Sequence, residues 1–307
     1  MQRLLPNRLS TLPIFNCMVI SFSILLIAST GYAQTTLRGA GATLPYPLLK
    51  KLFREYTYTT KNQVVFEAIG SGSGLAKFTA NQVDFVITDV PSSKTINASN
   101  RMSIPISVSG VAVAYNLPKN PDLKLNKIVL QAIYSGKITH WNDPAIAELN
   151  GLESLPNLPI QVARRPAKSG TYHIFTHFLN QTTLHGNHVI PGSLGMAQFI
   201  DETIGSLGFL GLNHAVDNHL KIARIENKSG AFIYPNPHVI SVAVDHDSPY
   251  AYPITGLSWL VFNPESSAMR DLASWLLHTG QYYHKQFQYA PLPKQMRVNW
   301  LKKLENS

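Results

Sequence analysis

The stretch Gly39-Ala40-Gly41-Ala42-Thr43-Leu44-Pro45 stands directly before a run of helical periodicity, and this pairing indicates the fold. In the run from Pro45 to Tyr58, apolar residues recur on one helical face: Leu48, Leu49, Leu52, Phe53 and Tyr56. A second glycine-rich loop, Gly70-Ser71-Gly72-Ser73-Gly74, precedes another helical stretch, Leu75 to Gln82. Strand, glycine loop and helix therefore follow one another repeatedly, which predicts a layered α/β protein.

The strands of this α/β pattern are predicted in short apolar runs rich in β-branched residues. They cover Val64–Ile69, Phe85–Ile87, Val111–Tyr115, Ile160–Ala163, Val239–Val244 and Leu257–Phe262. In open α/β sheets, ligands bind beyond the carboxyl ends of the strands. The glycine loops that follow such strands therefore mark the place where a site is expected.

Four polar segments predict a pocket for a small oxyanion. Two are the glycine-rich stretches quoted above, the third is Thr88-Asp89, and the fourth is Arg165-Pro166-Ala167-Lys168-Ser169-Gly170-Thr171. Hydroxyls and free backbone N–H groups at helix starts attract any such anion. A carboxylate among these donors makes sense only if the anion still carries a proton. The combination therefore points to phosphate.

Asp89 is the residue expected to separate phosphate from sulfate. Sulfate has no proton near neutral pH, so an ionised Asp89 would face a sulfate oxygen with no hydrogen bond between them. Phosphate can donate a proton and form a short, charge-assisted hydrogen bond. Arsenate is protonated in the same way and should not be rejected. The alternative role for Asp89 is that of a helix N-cap.

The other candidate residues also have alternatives. Arg165 offers a planar fork that suits two phosphate oxygens, but Arg164 competes for this role. Neighbours on a strand point to opposite faces, so only one of them can enter a cleft. Ser169 is either a plain helix cap or a ligand, and both roles share one geometry. The Gly70–Gly74 loop lacks the lysine of a nucleotide-binding phosphate loop, which argues against nucleotide binding.

The start of the chain has the pattern of a secretory signal peptide. Arg3 and Arg8 give a basic start, the run from Pro13 to Ala28 is mostly apolar, and small residues precede a cleavage site after Ala33. The apolar run is shorter than the roughly 20 residues of a spanning helix. We therefore expect residues 1–33 to be removed and the mature chain to be periplasmic, without the single cysteine, Cys17.

The charge distribution argues against a nucleic-acid or membrane-surface partner. The formal net charge is +9, but Lys and Arg are scattered along the chain. A basic exported protein that accommodates an anionic ligand is the simpler interpretation.

The eleven histidines raise the question of a metal site. His173 and His177 are four residues apart, on one helix face, and His246 lies between two aspartates. Neither set has a third ligand at a recognised spacing, so we predict no metal and no cofactor. We also predict no catalytic residue, because Ser169 has no evident base to activate it.

An ordered set of motifs along nearly the whole mature chain carries a family resemblance. They are Gly39–Pro45, Ile69–Gly74, Val83–Asp89, Ile133–Pro144, Arg164–Thr171, Gly205–Gly208, Asn227–Gly230, Tyr252–Gly256 and Tyr289–Pro293. In these motifs the chain closely resembles the periplasmic phosphate-binding proteins of ABC-type phosphate importers. The resemblance implies an α/β, two-lobed type II periplasmic-binding-protein fold with the ligand cleft between the lobes.

The same resemblance implies lobe bounds and ligands. Lobe I would comprise residues 34–110 plus 258–307 and lobe II residues 111–257, with hinge crossings near Ser109–Ala112 and Ser258–Trp259. The implied phosphate ligands are hydroxyl and backbone N–H groups, one guanidinium, and one carboxylate that accepts the phosphate proton. They are Thr43, Leu44, Ser71, Asp89, Arg165, Ser169, Gly170 and Thr171. The family spacing to Ser169 favours Arg165 over Arg164.

The function implied by the resemblance is capture of inorganic phosphate and its delivery to the transmembrane permease of an ABC importer. The protein would be a monomer without enzymatic activity. One alternative is a binder of another oxyanion, such as sulfate or molybdate. Another is a secreted phosphatase or a phosphate sensor built on the same fold.

Two positions depart from the family pattern. Leu44 stands where phenylalanine is usual, which matters little because the expected ligand group is its backbone N–H. Ala167-Lys168 stands where the family commonly has Asp-Gly, and that aspartate orients the arginine. We therefore expect a less rigid Arg165 and a more positive cleft mouth.

Overall fold

The computed structural model describes residues 35–90, 100–151, 155–244 and 248–306. The expected signal peptide with Cys17 lies outside these ranges, and so does His246 with its flanking aspartates. Within the described ranges, no helix has both the length and the apolar character needed to cross a membrane.

Twelve strands are found in the described residues. They are β1 Thr36–Gly41, β2 Gln63–Glu67, β3 Phe85–Thr88, β4 Met102–Tyr115, β5 Lys124–Leu125, β6 Gln161–Arg164, β7 His188–Val189, β8 Ser206–Gly211, β9 Lys221–Ile222, β10 Arg224–Glu226, β11 Phe232–Ile233 and β12 Thr255–Phe262.

Ten α-helices lie between and after these strands in the same ranges. They are α1 Tyr46–Thr60, α2 Ser71–Thr79, α3 Lys127–Tyr134, α4 Pro144–Asn150, α5 Gly170–Leu179, α6 Ser193–Glu202, α7 Leu212–Asp217, α8 Pro237–Ser241, α9 Ser267–Leu277 and α10 Lys294–Glu305. Two 3₁₀ segments, Val242–Val244 and Thr279–Phe287, complete the set. The predicted α/β class is confirmed.

The main sheet has the strand order β2-β1-β3-β12-β4-β8-β6-β7, and β9 also pairs with β4. Strand β1 is parallel to β2 and β3, and β6 is parallel to β7 and β8. Between these two parallel groups, β12 and β4 run antiparallel to their neighbours. A small separate sheet has the order β11-β10-β5.

Strand β4 joins the two parallel groups because it changes partner along its length. It pairs with β12 from Met102 to Gly110, and with β8 from Val111 to Tyr115. The pairing of β12 with β4 shifts register between Ser258 and Trp259. The family resemblance places the two hinge crossings at these points, while the lobe bounds themselves stay a prediction.

Helix α1 illustrates how well a strong periodic pattern specifies an element. It begins at Tyr46 and ends where Lys61 adopts a left-handed conformation with φ 67°. The five predicted apolar residues are all buried: Leu48, Leu49, Leu52, Phe53 and Tyr56. The predicted helix and its buried face are therefore confirmed.

The predicted strand Val239–Val244 is wrong. This segment is the end of α8 followed by a 3₁₀ turn. Asn236 caps α8, since its side chain accepts hydrogen bonds from the N–H groups of His238 and Val239, and Pro237 stands at the first helical position. These local start signals outweigh the β-branched composition of the run.

The second glycine loop is also shorter than predicted, because α2 already begins at Ser71. Gly74 makes this possible. A Cβ on Gly74 would lie 2.4 Å from the Cα of Gly41, so only glycine lets the first turn of α2 rest on β1.

Aromatic rings pack helix α5 against β8 and α3. Phe175 stacks on Phe209 of β8 with ring centroids 4.1 Å apart, and Tyr134 meets both rings edge-on. Such pairs add to the hydrophobic stabilisation. The packing holds α5 against β8 and α3.

Candidate functional site: a buried oxyanion pocket

The four predicted polar segments converge on one place. Thr43 follows β1, Asp89 follows β3, and Arg165 follows β6, so each stands just beyond the end of a strand. The polar residues brought together here are buried: Ser71, Asp89, Arg165, Ser169 and Thr171. Buried polar groups need partners, so their concentration at one point indicates a binding site.

Close contacts tie the segments to one another. The backbone N–H of Asp89 donates to Ser71 Oγ at 3.3 Å. The N–H of Gly72 donates to the carbonyl of Lys168 at 3.2 Å. A Cβ on Gly170 would lie 2.5 Å from Asp89 Oδ2 and 2.6 Å from Ser71 Oγ. The start of α5 therefore lies directly against the end of β3 and the start of α2.

Arg165 enters the pocket, as expected. Its Nη1 lies 3.3 Å from Ser193 Oγ and its Nη2 lies 3.5 Å from Thr43 Oγ1, so both donate to hydroxyls. Its Nε is buried and has no hydrogen-bond partner among the described residues. Burial lowers the pKa of Arg165 to about 10, against the opposing charge of Asp89. The guanidinium is still cationic at neutral pH, and its Nε–H is a donor left for a ligand.

Arg164 lies elsewhere. A Cβ on Gly186 would be 3.3 Å from Arg164 Cγ, so the Arg164 side chain runs along Gly186. Arg164 is partly exposed, whereas only 2% of Arg165 is exposed. Arg164 is the last residue of β6 and Arg165 follows it; their side chains point in different directions, and Arg165 is the one beside Thr43.

Asp89 has an unusual protonation equilibrium. Burial raises its pKa to about 7. The hydrogen bond from Ser258, the charge of Arg165 and the hydrogen bond with Ser71 all lower the pKa, but not enough to offset burial. Ser258 Oγ donates to Asp89 Oδ1 at 2.7 Å. An ionised Asp89 is therefore expected only above about pH 7, and its Oδ2 is the oxygen that faces Gly170.

The backbone around Leu44 is held in place. The Leu44 carbonyl accepts a hydrogen bond from Tyr289 Oη at 2.6 Å. The Leu44 side chain is 1% exposed and serves the core. The predicted role of its N–H is thus independent of the side chain, as the departure from phenylalanine implied.

Ser169 caps α5, since its hydroxyl oxygen lies 3.5 Å from the N–H of Tyr172. Capping and anion binding use the same free N–H groups. The structure thus leaves room for both roles of Ser169, while the ligand role of Ser169, Gly170 and Thr171 stays a prediction.

Ala167 and Lys168, which replace the family's Asp-Gly, are both exposed. Within the described parts of the chain, Arg165 has no ion pair. Two hydroxyls, of Ser193 and Thr43, contact the guanidinium instead. Arg165 thus has no orienting carboxylate among the described residues, and two neutral hydroxyls contact its guanidinium.

A cavity of about 410 Å³ adjoins the pocket on the side of Thr43, Arg165 and Ser169. Lys168 and Ser73 line it as well. Its lining thus includes Lys168, the additional positive charge expected from the sequence.

The histidine pair His173 and His177 lies on α5, beyond the capping turn. Burial, and to a smaller extent the charge of His177, lowers the pKa of His173. In the described ranges, no group of three or more His, Cys, Asp or Glu could hold a metal ion. We therefore assign no metal to His173 and His177.

Sequence reasoning missed three contacting residues: Ser193, His214 and Ser258. Ser193 begins α6, Ser258 lies in β12, and His214 lies in α7 with Nε2 3.3 Å from the Thr43 carbonyl. Ser258 is 169 positions from Asp89, so no local spacing connects the two. The only signal for Ser258 was its position at the expected second hinge crossing.

Comparison with known proteins places this chain in a family. Residues 28–279 match the family described as PBP superfamily domain. "Phosphate-binding protein PstS" of Pasteurella multocida is 28% identical, covering 94% of this chain and 96% of that protein. The protein of the same name from Haemophilus influenzae is 28% identical over 89% of this chain and 94% of its own length.

Solved structures share the fold. A putative phosphate ABC transporter substrate-binding protein from Clostridium perfringens superposes with a TM-score of 0.71 at 17% identity, covering 84% of this chain and 100% of that chain. An ABC-type phosphate transport receptor from Vibrio cholerae gives a TM-score of 0.63 at 16% identity, with coverage of 84% and 100%. The predicted fold class, α/β with two lobes, is confirmed.

Proposed function

The chain belongs to the PBP superfamily, and from this membership and the pocket we propose that it captures inorganic phosphate between two lobes and delivers it to an ABC importer. The observation that carries the proposal is Asp89, a buried carboxylate set among hydroxyls, backbone N–H groups and one guanidinium. Relatives named phosphate-binding proteins over nearly the full length support it.

In this proposal the phosphate-binding groups are one cation, several neutral donors and one acceptor. Arg165 supplies the positive charge and its unpaired Nε–H. The hydroxyls of Thr43 and Ser71 and the N–H groups of Leu44 and of the start of α5 (Ser169, Gly170 and Thr171) donate to the remaining oxygens. Asp89 accepts the phosphate proton. Every ligand oxygen thus meets a donor or carries the proton that meets the acceptor.

We assign lobe I to residues 34–110 plus 258–307 and lobe II to residues 111–257. The partner change of β4 between Gly110 and Val111 supports the first crossing. With these bounds, the contacts of Gly72 with Lys168 and of Thr43 with Arg165 run between the lobes. Binding energy then drives closure, because the ligand gains contacts from both lobes only when they meet.

The cellular part of the proposal follows from the resemblance. Residues 1–33 direct export, the mature monomer works in the periplasm, and its protein partner is the permease of the importer. The protein binds and does not turn over phosphate, since the pocket consists of donors and one acceptor around the anion. A secreted phosphatase or a phosphate sensor on this fold is the alternative.

One calorimetric titration tests the proposal. Mature protein at pH 8 should bind phosphate and arsenate, with sulfate at least about tenfold weaker because it has no proton for Asp89. Tight sulfate binding without phosphate binding would contradict the proposal. Hydrolysis of a phosphomonoester would favour the phosphatase alternative.

The arginine assignment gives a first mutational prediction. Arg165→Ala should weaken phosphate binding by about 2 kcal/mol, roughly 30-fold, since charge-assisted hydrogen bonds are lost from a buried site. Arg164→Ala is the matched control and should change the affinity less than about threefold, because that side chain lies along Gly186. Equal losses in the two variants, measured by calorimetry, would refute the assignment.

A second prediction concerns the neutral partners of Arg165. Ser193→Ala should weaken phosphate binding about threefold to tenfold, because the guanidinium loses one of its two hydroxyl contacts. Adding Ala167→Asp should restore the loss, since a carboxylate can orient the arginine. If the double variant binds no better than Ser193→Ala alone, Ser193 does not stand in for the missing aspartate.

A further inference from the structure

Two residues expected to bind the anion, Thr43 and Leu44, are also held from the opposite side of the cleft. His214 Nε2 lies 3.3 Å from the backbone carbonyl of Thr43. A Cβ on Gly211 would lie 2.6 Å from Leu44 Cδ1 and 3.4 Å from the ring of His214. The turn from β8 into α7 therefore packs directly on the segment that follows β1.

These two segments belong to different parts of the sheet. β8 pairs with the second part of β4, from Val111 to Tyr115. Among the described residues, β1 pairs with β2 and β3 and with no other strand, and these lie on the other side of β12. A contact between α7 and Thr43 thus joins the two parts of the sheet across the cleft of the proposed function.

The chemistry of the contact fixes the state of the imidazole. A backbone carbonyl only accepts hydrogen bonds, so Nε2 must carry a proton. Burial lowers the pKa of His214, and the charge of Arg165 lowers it further, while the Thr43 carbonyl and Asp217 oppose this. At neutral pH the ring is therefore the neutral tautomer with the proton on Nε2, which adds no charge beside the anion.

The hydrogen bond from His214 also acts on Thr43, which the proposal assigns to phosphate binding. The hydroxyl of Thr43 lies 3.5 Å from Arg165 Nη2, so side chains from beyond the cleft engage both the backbone and the side chain of Thr43. We propose that His214 is a positioning residue that latches the closed cleft by donating from Nε2 to the Thr43 carbonyl. The inference rests on the proposed phosphate binding.

A latch of this kind has a kinetic signature. It is formed after the anion has entered, so its loss should accelerate release and leave capture unchanged. His214→Leu keeps the volume and removes the donor, and His214→Gln restores a donor. We expect the phosphate dissociation rate of His214→Leu to rise about threefold to tenfold, the range for one hydrogen bond, and His214→Gln to recover most of it.

The experiment is stopped-flow binding of phosphate to the mature protein, with His185→Leu, an exposed histidine, as matched control. Melting without phosphate should be the same in all variants, whereas the stabilisation by phosphate should shrink in His214→Leu. A parent that binds no phosphate would contradict the proposed function and with it the latch. A parent that binds, with a dissociation rate unchanged in His214→Leu or equally raised in His214→Gln, would refute the latch alone.

Discussion

The affinity for sulfate should fall about tenfold for each unit that the pH rises above about 7, and should level off at lower pH. The reason is the raised pKa of Asp89, which burial moves to about 7. Protonated Asp89 can donate to a bare sulfate oxygen, whereas ionised Asp89 repels it. Between pH 6 and pH 9 the expected loss for sulfate is about 100-fold. Calorimetric titration at intervals of half a pH unit measures it.

Phosphate should behave differently over the same range. It brings its own proton when Asp89 is ionised, so its affinity should change much less than that of sulfate. Asp89→Asn is the matched control, because an amide donates at every pH. In that variant sulfate binding should not vary between pH 6 and pH 9, and phosphate binding should weaken modestly. A parent whose sulfate affinity is flat with pH would show that Asp89 is not the acceptor.

Gly170→Ala should weaken phosphate binding by about 100-fold without destabilising the empty protein. The added Cβ would lie 2.5 Å from Asp89 Oδ2 and 2.6 Å from Ser71 Oγ. Such overpacking costs about 1–3 kcal/mol, and we expect the upper end because Asp89 Cβ also lies at 2.5 Å and the two polar atoms are expected to face the ligand. Calorimetry measures the affinity, and a thermal melt without phosphate tests the stability.

Alanine is compatible with the helix itself, since Gly170 is the first residue of α5. The expected effect is therefore confined to closure over Asp89 and Ser71. Gly195→Ala, in α6, is the matched control, because its Cβ would meet only Ile190 at an ordinary 3.5 Å. Unchanged phosphate affinity in Gly170→Ala would mean that the start of α5 does not approach β3 in the bound state.

The sequence alone predicted the elements whose signals are local. The apolar face of α1 recurs at helical spacing, and all five of its residues are buried. The glycine-rich stretches at the end of β1 and at the start of α2 predicted where backbone could approach an anion. The strand predicted at Val239–Val244 is wrong for a local reason too. The cap at Asn236 and the proline at Pro237 start a helix there.

Arg165 shows the limit of this reasoning. Its guanidinium charge and its place after a strand could be read from the sequence, and so could the missing aspartate at Ala167. The hydroxyl contact with Ser193 could not, because Ser193 reaches Arg165 from the start of another helix. Residue type predicted the ligand class, while the orientation of the arginine depended on a neighbour remote in sequence.

The sequence by itself determined the α/β class, the helix starts that carry free N–H groups, and the presence of a single carboxylate among donors. The tertiary structure decided what that carboxylate does near neutral pH. Ser258, distant in sequence, donates a hydrogen bond to Asp89, and burial raises the pKa of Asp89 to about 7. Desolvation and cross-sheet contacts depend on where β3, β12 and α5 meet, and no local pattern encodes that meeting point.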